Sequence, residues 1–228
     1  MKIGIIVATR TELRPFMEVF GETSAVFLPK YSGYEVIKWS ISSGKTIYLI
    51  LGGVGEIASA SSTQYLIDHF SVDGVINYGV AGGLSSEPTA MKIGIVEKIV
   101  HSDFDISLAD DYSVGEYPGH RGEPFIFPVK SFIPSSLTKG LEKFTCASAD
   151  KFVGAGEPKA KLRREFGADI CEMEAAGIVI TCNRNDTPVT FIKAISDGAD
   201  EDAEAFDNNV HEASLACVKL IANFVQHL

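Results

Sequence analysis

The sequence predicts an α/β fold, a mixed and largely parallel sheet with helices on both faces. Three observations predict it. Short apolar runs that read as buried strands recur along the chain. Segments with helical apolar spacing alternate with them. Glycines follow several of the strands directly, where the chain must turn. A length of 228 residues suits one large domain over residues 1–228 better than two small ones.

Lys2–Ala8 is a continuous apolar run, as expected of a strand covered on both faces. Residues 9–11 turn the chain, and residues 12–20 carry Leu13, Phe16, Met17 and Phe20 at helical spacing. Residues 34–40 and 45–51 read as two strands around the turn Ser42-Ser43-Gly44. A glycine loop at 52–55 opens a helix over 57–70. Residues 74–77 form a short buried strand that ends in a second glycine loop, Gly79-Val80-Ala81-Gly82-Gly83. Residues 93–100 form another strand. Residues 103–135, with Gly115, Pro118, Gly119, Gly122, Pro124, Pro128 and Pro134, form a long irregular excursion of the kind found at functional sites and interfaces. Residues 144–148 and Ile170 are strand material. Met173–Cys182 is an alanine-rich helix that Glu172-Met173-Glu174 opens, 189–196 a core strand, and 203–225 a final amphipathic helix. The hairpin-like 34–51 segment adds antiparallel pairing to the sheet.

Twenty basic against thirty acidic residues leave a net charge of −10, which argues against a nucleic-acid or anionic-membrane binder. A hydrophobic content of 46% argues against disorder. Cys146, Cys171, Cys182 and Cys217 show no paired spacing and read as reduced, buried thiols of a cytoplasmic protein. No apolar run is long enough for a transmembrane helix, and the N-terminal apolar run is too short for a signal peptide.

Ligands of such sheets bind at the carboxyl ends of strands, so polar residues just past apolar runs are the candidates. They are Arg10 and Glu12, the 79–83 loop, Ser148-Ala149-Asp150 with Phe152, and Ser196-Asp197. Gly53-Val54-Gly55-Glu56-Ile57-Ala58 matches a dinucleotide fingerprint. The next strand, however, ends in Asn77-Tyr78-Gly79 and lacks the acidic residue that holds a ribose, so a tight strand-to-helix turn is the better reading. Asp197, at the mouth of a core strand, suits a general acid or a turn cap. Glu12 suits the first turn of a helix. His101, Asp103 and Asp105 suggest a metal only superficially, because no second histidine cluster supports it.

Taken in order, Glu12, Gly79-Val80-Ala81-Gly82-Gly83-Leu84, Ser148-Ala149-Asp150-Lys151-Phe152, Glu172-Met173-Glu174-Ala175-Ala176-Gly177 and Ala194-Ile195-Ser196-Asp197-Gly198-Ala199-Asp200 resemble the nucleoside phosphorylase family. Within it the chain is most similar to the nucleosidases of 5′-methylthioadenosine and S-adenosylhomocysteine, over essentially its whole length. The resemblance implies a three-layer α/β/α domain, a homodimer, no metal and no organic cofactor. It implies hydrolysis of the N-glycosidic bond of an adenine nucleoside, and the acidic charge leaves a small-molecule partner rather than a nucleic acid or a membrane.

By that resemblance Asp197 protonates or hydrogen-bonds purine N7, and Glu12 is the base that activates water. Glu174 binds the ribose hydroxyls and favours an oxocarbenium-like sugar. Met173 packs beneath the ribose, Phe152 stacks on adenine and the Val153 backbone reads its edge. Phe206 covers the 5′-substituent. Ser196, Val80 and Lys193 complete the expected binding set. The chain departs from the pattern at Val80, where nucleosidases carry Ser or Thr. It departs again at Lys193, where many bacterial members have Arg, and at Thr9, where they often place Met. Two other readings stay open. A phosphorylase would use phosphate, yet Arg10 and Arg14 are the obvious cations, and Asn77 and Val80 stand where purine phosphorylases carry arginine and serine. A weakly catalytic nucleoside-binding protein of the same fold would fit Val80.

Overall fold

The computed structural model describes residues 1–30, 33–41, 44–85, 91–108, 111–125, 129–197 and 203–228, with the side chains of 197 and 203–208 outside the description. In chain order the elements are β1 (Lys2–Val7), α1 (Arg10–Phe20), β2 (Val26–Phe27), β3 (Glu35–Ile41), β4 (Lys45–Leu51), α2 (Glu56–Phe70), β5 (Gly74–Gly83), β6 (Ile93–His101), α3 (Ser135–Thr138), β7 (Glu142–Ser148), α4 (Glu157–Phe166), β8 (Ile170–Glu172), α5 (Ala175–Arg184), β9 (Val189–Asp197) and α6 (Ala203–His227).

The strands form one mixed sheet in the order β2-β3-β4-β1-β5-β8-β7-β6-β9. β1 lies parallel between β4 and β5, with Ile3 opposite Ile47 on one side and Gly74 on the other. β3 and β4 form the expected antiparallel pair. β9 also pairs with β5, so β5, β8, β7, β6 and β9 close a ring of five strands. Parallel and antiparallel pairings alternate unevenly around that ring, because the two contacts β5–β8 and β6–β9 run antiparallel.

Alternation along β1 explains the two cores. Ile3, Ile5 and Val7 face one side, where they meet Leu13 and Phe16 of α1 and Cys217, Val218 and Ile221 of α6. Ile6 faces the other side, with Leu66 of α2 and Ile178, Val179 and Cys182 of α5. Gly4 shares that second face. A Cβ there would sit 3.3 Å from Val72, so the missing side chain lets the loop after α2 lie close. All four cysteines are buried and unbridged.

The structure corrects three sequence expectations. The 79–83 glycine segment is not a loop. It continues β5, pairing with β9 from Val75 opposite Val189 to Gly82 opposite Asp197. Gly79 has no room for a side chain, because a Cβ would stand 2.2 Å from Glu12 Oε1. Second, the helix expected from Met173 starts at Ala175, and Glu172 closes β8 instead. Third, α4 was not anticipated. It is polar and carries few apolar residues, yet Pro158 in its first turn and the left-handed Gly167 at its end are the ordinary start and stop signals. On α6, Ala213, Cys217 and Phe224 are buried, whereas Leu215 and Ala222 are only partly so. Among the described residues, no helix is long and apolar enough to cross a membrane.

Candidate active site

A cavity of about 500 Å³ opens where β1, β5 and β8 end. The carboxyl ends of the strands are the expected place, since the connections diverge there and leave a crevice. Its walls come from the β1–α1 junction, the glycine stretch of β5, the segment after β7 and the β8–α5 junction. Of the residues expected from the sequence, Glu12, Val80, Phe152, Val153, Met173 and Glu174 line it.

Glu12 is held on both oxygens. Its Oε2 accepts from the amides of Ala8 and Thr9, at 3.2 and 3.0 Å, and from the Thr9 hydroxyl at 3.1 Å. Its Oε1 accepts from the Val80 amide at 3.3 Å. Thr9 returns the contact by accepting from the Glu12 amide, so the pair forms a capping box at the start of α1. Such a cap is worth about 1 kcal/mol to the helix. The carboxylate is therefore placed by local sequence, and the bare backbone of Gly79 lets it reach β5.

Glu174 faces the cavity from the start of α5. Its Oε1 accepts from the Gly55 amide at 3.2 Å. Burial, with Glu172 nearby, pushes its carboxyl up to about 8. The next amide, of Glu56, donates to Asp150 Oδ1 at 2.7 Å. Two amides of the dinucleotide-like Gly53–Ala58 stretch, those of Gly55 and Glu56, are thus taken by carboxylates of the chain itself, and the strand-to-helix turn is what this stretch forms.

A buried ion pair underlies this wall. Lys193 Nζ lies 3.0 Å from Glu172 Oε2, with both side chains almost wholly buried. Glu172 also accepts from the amides of Glu174 and Ala175 and from the Ser148 hydroxyl. Burial alone would raise its carboxyl, but Lys193 and these donors outweigh it and hold it below the usual carboxylate range. Burial would likewise lower the Lys193 ammonium, and Glu172 and Glu174 raise it instead. Glu172 and Cys171 line the cavity and were not singled out from the sequence as binding residues. An acidic residue two positions before Glu174, at the end of a strand, was the available signal.

Other expected residues are placed differently. Lys193 sits behind Glu172 rather than on the cavity wall. Ser196 is fully buried, with its hydroxyl 3.4 Å from the Ala81 carbonyl. A register shift between β5 and β9 at this point skips Ser196 and sets Asp197 opposite Gly82. The side chains of Asp197 and Phe206 lie outside the described residues. Arg10 grips Glu35 through both guanidinium nitrogens, at 3.2 and 2.8 Å, and lines a separate surface groove with Arg14. His101 contacts the Tyr117 hydroxyl at 2.7 Å through one ring nitrogen and Asp103 at 3.0 Å through the other. Among the described residues no group of three or more His, Cys, Asp or Glu side chains has the arrangement of a metal site.

The phosphorylase superfamily model matches residues 2–226. The aminodeoxyfutalosine nucleosidase of Helicobacter pylori strain J99 is 30% identical over 236 residues, covering 100% of this chain and 99% of that protein. The 5′-methylthioadenosine/S-adenosylhomocysteine nucleosidase of Oceanobacillus iheyensis is 28% identical, with both chains covered in full. A crystal structure of a nucleosidase of the latter kind from Colwellia psychrerythraea, in complex with adenine, superposes with a TM-score of 0.87. It is 27% identical over 100% of this chain and 96% of that one. With the family pattern running from the first strand to the last helix, the chain belongs to the phosphorylase superfamily.

Proposed function

We propose that this chain is a nucleosidase that hydrolyses the N-glycosidic bond of an adenine nucleoside bearing a 5′-substituent, of the methylthioadenosine and adenosylhomocysteine class. One observation carries the reading. The cavity sets a fully hydrogen-bonded Glu12 and a buried Glu174 around one space, with Phe152 at its mouth, and no arginine among its described lining residues. Phosphate needs several cationic or hydroxyl donors. Arg10 and Arg14, the candidates for that task, lie in another groove. The described lining keeps Lys151, Thr9 and Thr11, and the Thr9 hydroxyl is already given to Glu12, so a single cation and one further hydroxyl position suit water better than phosphate as the nucleophile.

In this reading the oxygen of water forms a bond to the anomeric carbon as the carbon–N9 bond breaks. The electron pair of that bond passes to the purine, Asp197 delivers a proton to N7, and Glu12 takes the proton from water. Glu174 accepts hydrogen bonds from the ribose hydroxyls, and Met173 packs under the sugar. Phe152, 53% exposed, offers its ring face to the base and Val153 offers backbone groups. Val80 contributes a backbone amide to Glu12 but no hydroxyl to the water. Lys193 acts from behind, through Glu172. Ser196 and Phe206 belong to the binding set by family resemblance.

The fold is read as one three-layer domain, supported by α1 and α6 on one face of the sheet and α2 and α5 on the other. A cytoplasmic homodimer without cofactor completes the reading. The test is adenine release from methylthioadenosine, adenosylhomocysteine and aminodeoxyfutalosine, with and without phosphate. Release without phosphate is expected. Strict phosphate dependence would make the chain a phosphorylase, and binding without release would make it a binding protein.

A further inference from the structure

Glu56 takes no part in this reaction, yet it is a carboxyl with only 5% exposure at the start of α2. Its Oε2 accepts from the amide of Gly177 on α5, and its Oε1 meets the hydroxyl of Ser148 at the end of β7. The Ser148 oxygen has three close partners. The Ala176 amide donates to it at 3.1 Å, and the two others are carboxyl oxygens, of Glu56 and of Glu172. A serine hydroxyl carries one hydrogen. Glu172 receives N–H donors from Lys193, Glu174 and Ala175 on its two oxygens, so it is the ionised carboxylate and takes the serine hydrogen. The contact between Ser148 and Glu56 then has no hydrogen unless Glu56 supplies it.

We propose that Glu56 is a protonated positioning residue, a carboxylic acid that donates to Ser148 and so completes a directed chain from Glu56 through Ser148 to Glu172. Glu172 anchors the amides that begin α5, and through them Glu174 at the cavity wall. Any consequence for turnover rests on the nucleosidase reading; the proton does not.

The surroundings agree with the hydrogen count. Facing Glu56 are Glu172 on β8, Glu174 at the start of α5, and Asp150 after β7, whose oxygen takes the Glu56 amide. Tyr117 from the 103–135 excursion lies within electrostatic reach, with Asp103 and Arg184 next to it in turn. Cys146 on β7 contacts Glu172, and the cation Lys193 on β9 is engaged by Glu172. Burial and the charge of Glu172 push the Glu56 carboxyl up to about 8. A second anion beside Glu172 would cost far more than a neutral acid, which satisfies Ser148 and Gly177 together.

The experiment compares the whole chain with Glu56→Gln, Glu174→Gln and Glu56→Ala. Glutamine matches the protonated acid, since its NH₂ donates to Ser148 and its oxygen accepts from Gly177. Infrared spectra in heavy water at neutral pH should show a carboxylic acid C=O component in the wild type. Glu174, raised to the same range, contributes to that band as well, so Glu56→Gln should remove one part of its intensity while Glu174→Gln removes another and leaves the Glu56 part in place. Glu56→Gln should hold its melting temperature at pH 7 and lose less of it than the wild type as pH rises to 9, because one titrating proton is gone. Glu56→Ala, which strands the serine hydroxyl, should melt about 4–8 °C lower. A spectrum unchanged by Glu56→Gln, or a Glu56→Gln protein as unstable at pH 7 as Glu56→Ala, overturns the proposal. Neither readout uses a substrate, so failure of the nucleosidase reading would leave both unaltered.

Discussion

Replacing Lys193 by methionine tests the ion pair beneath the cavity. At 3.0 Å and an effective dielectric near 20, the attraction between Lys193 and Glu172 is about 5.5 kcal/mol before desolvation is counted. Removing one partner of a buried pair typically costs about 3–5 kcal/mol, because the other charge stays buried. Glu172 keeps the Ser148 hydroxyl and the amides of Glu174 and Ala175, so the lower end applies, about 3 kcal/mol. For a chain of this size that is a fall of about 6–12 °C in melting temperature. The pH dependence has a definite sign. In the wild type the carboxyl of Glu172 is lowered, so its contribution is present above the unfolded carboxyl range and is lost as pH falls. Without Lys193, burial dominates and raises that carboxyl, so the variant gains stability as pH falls. The deficit should therefore shrink from pH 8 to pH 5 in urea titrations with a constant slope. Lys193→Met combined with Glu172→Gln should recover part of the loss, since no unpaired charge remains. A deficit below about 1 kcal/mol at both pH values, or one that grows in acid, would refute the reasoning.

Glu12→Gln should abolish adenine release while leaving binding of a nucleoside analogue intact, as read by calorimetry. Unchanged turnover would place water activation elsewhere. Asp197→Asn should lower kcat by about 10²–10⁴, the usual worth of a general acid, and near-normal kcat would remove Asp197 from that role. Gly79→Ala places a methyl group 2.2 Å from Glu12 Oε1, so kcat should fall at a stability cost of about 1–3 kcal/mol. A fully active Gly79→Ala enzyme would show that Glu12 need not sit where it does. Glu174 holds its proton up to about 8, well above the unfolded value. Its share of stability is therefore full in acid and lost as pH rises toward 8, and melting curves of Glu174→Gln should be flatter over that range.

The two cores and most element positions were legible because they follow from local periodicity. β1 reads as a buried strand since apolar residues occupy both of its faces, and α1 reads as a helix from Leu13, Phe16 and Met17. Glu12 was legible as an acidic residue in the first turn of that helix, and the structure adds the capping box it forms with Thr9. The 79–83 stretch misled, because glycine is a turn signal in sequence and is compatible with a strand only when a neighbour fills the space of the missing side chain. Here Glu12 does so at Gly79, and Cys171 and Lys159 do so at Gly82. Lys193 was expected in the binding set, and the structure puts it behind Glu172, a distinction of depth that position along a strand does not encode.

By itself the order of residues determined an alternating α/β chain, the helix that carries Glu12 in its first turn, and the segments from which a nucleoside site would be drawn. Tertiary structure alone decided which carboxyls are buried together. Glu56 and Gly177 are 121 residues apart, and Glu56 and Ser148 are 92 apart, yet each pair shares a hydrogen bond in the interior. Helix and strand signals arise from neighbours within a few residues. The charge state of a buried acid depends on donors and dielectric supplied by remote segments, and these exist only once the sheet has brought β7, β8, α2 and α5 against one another.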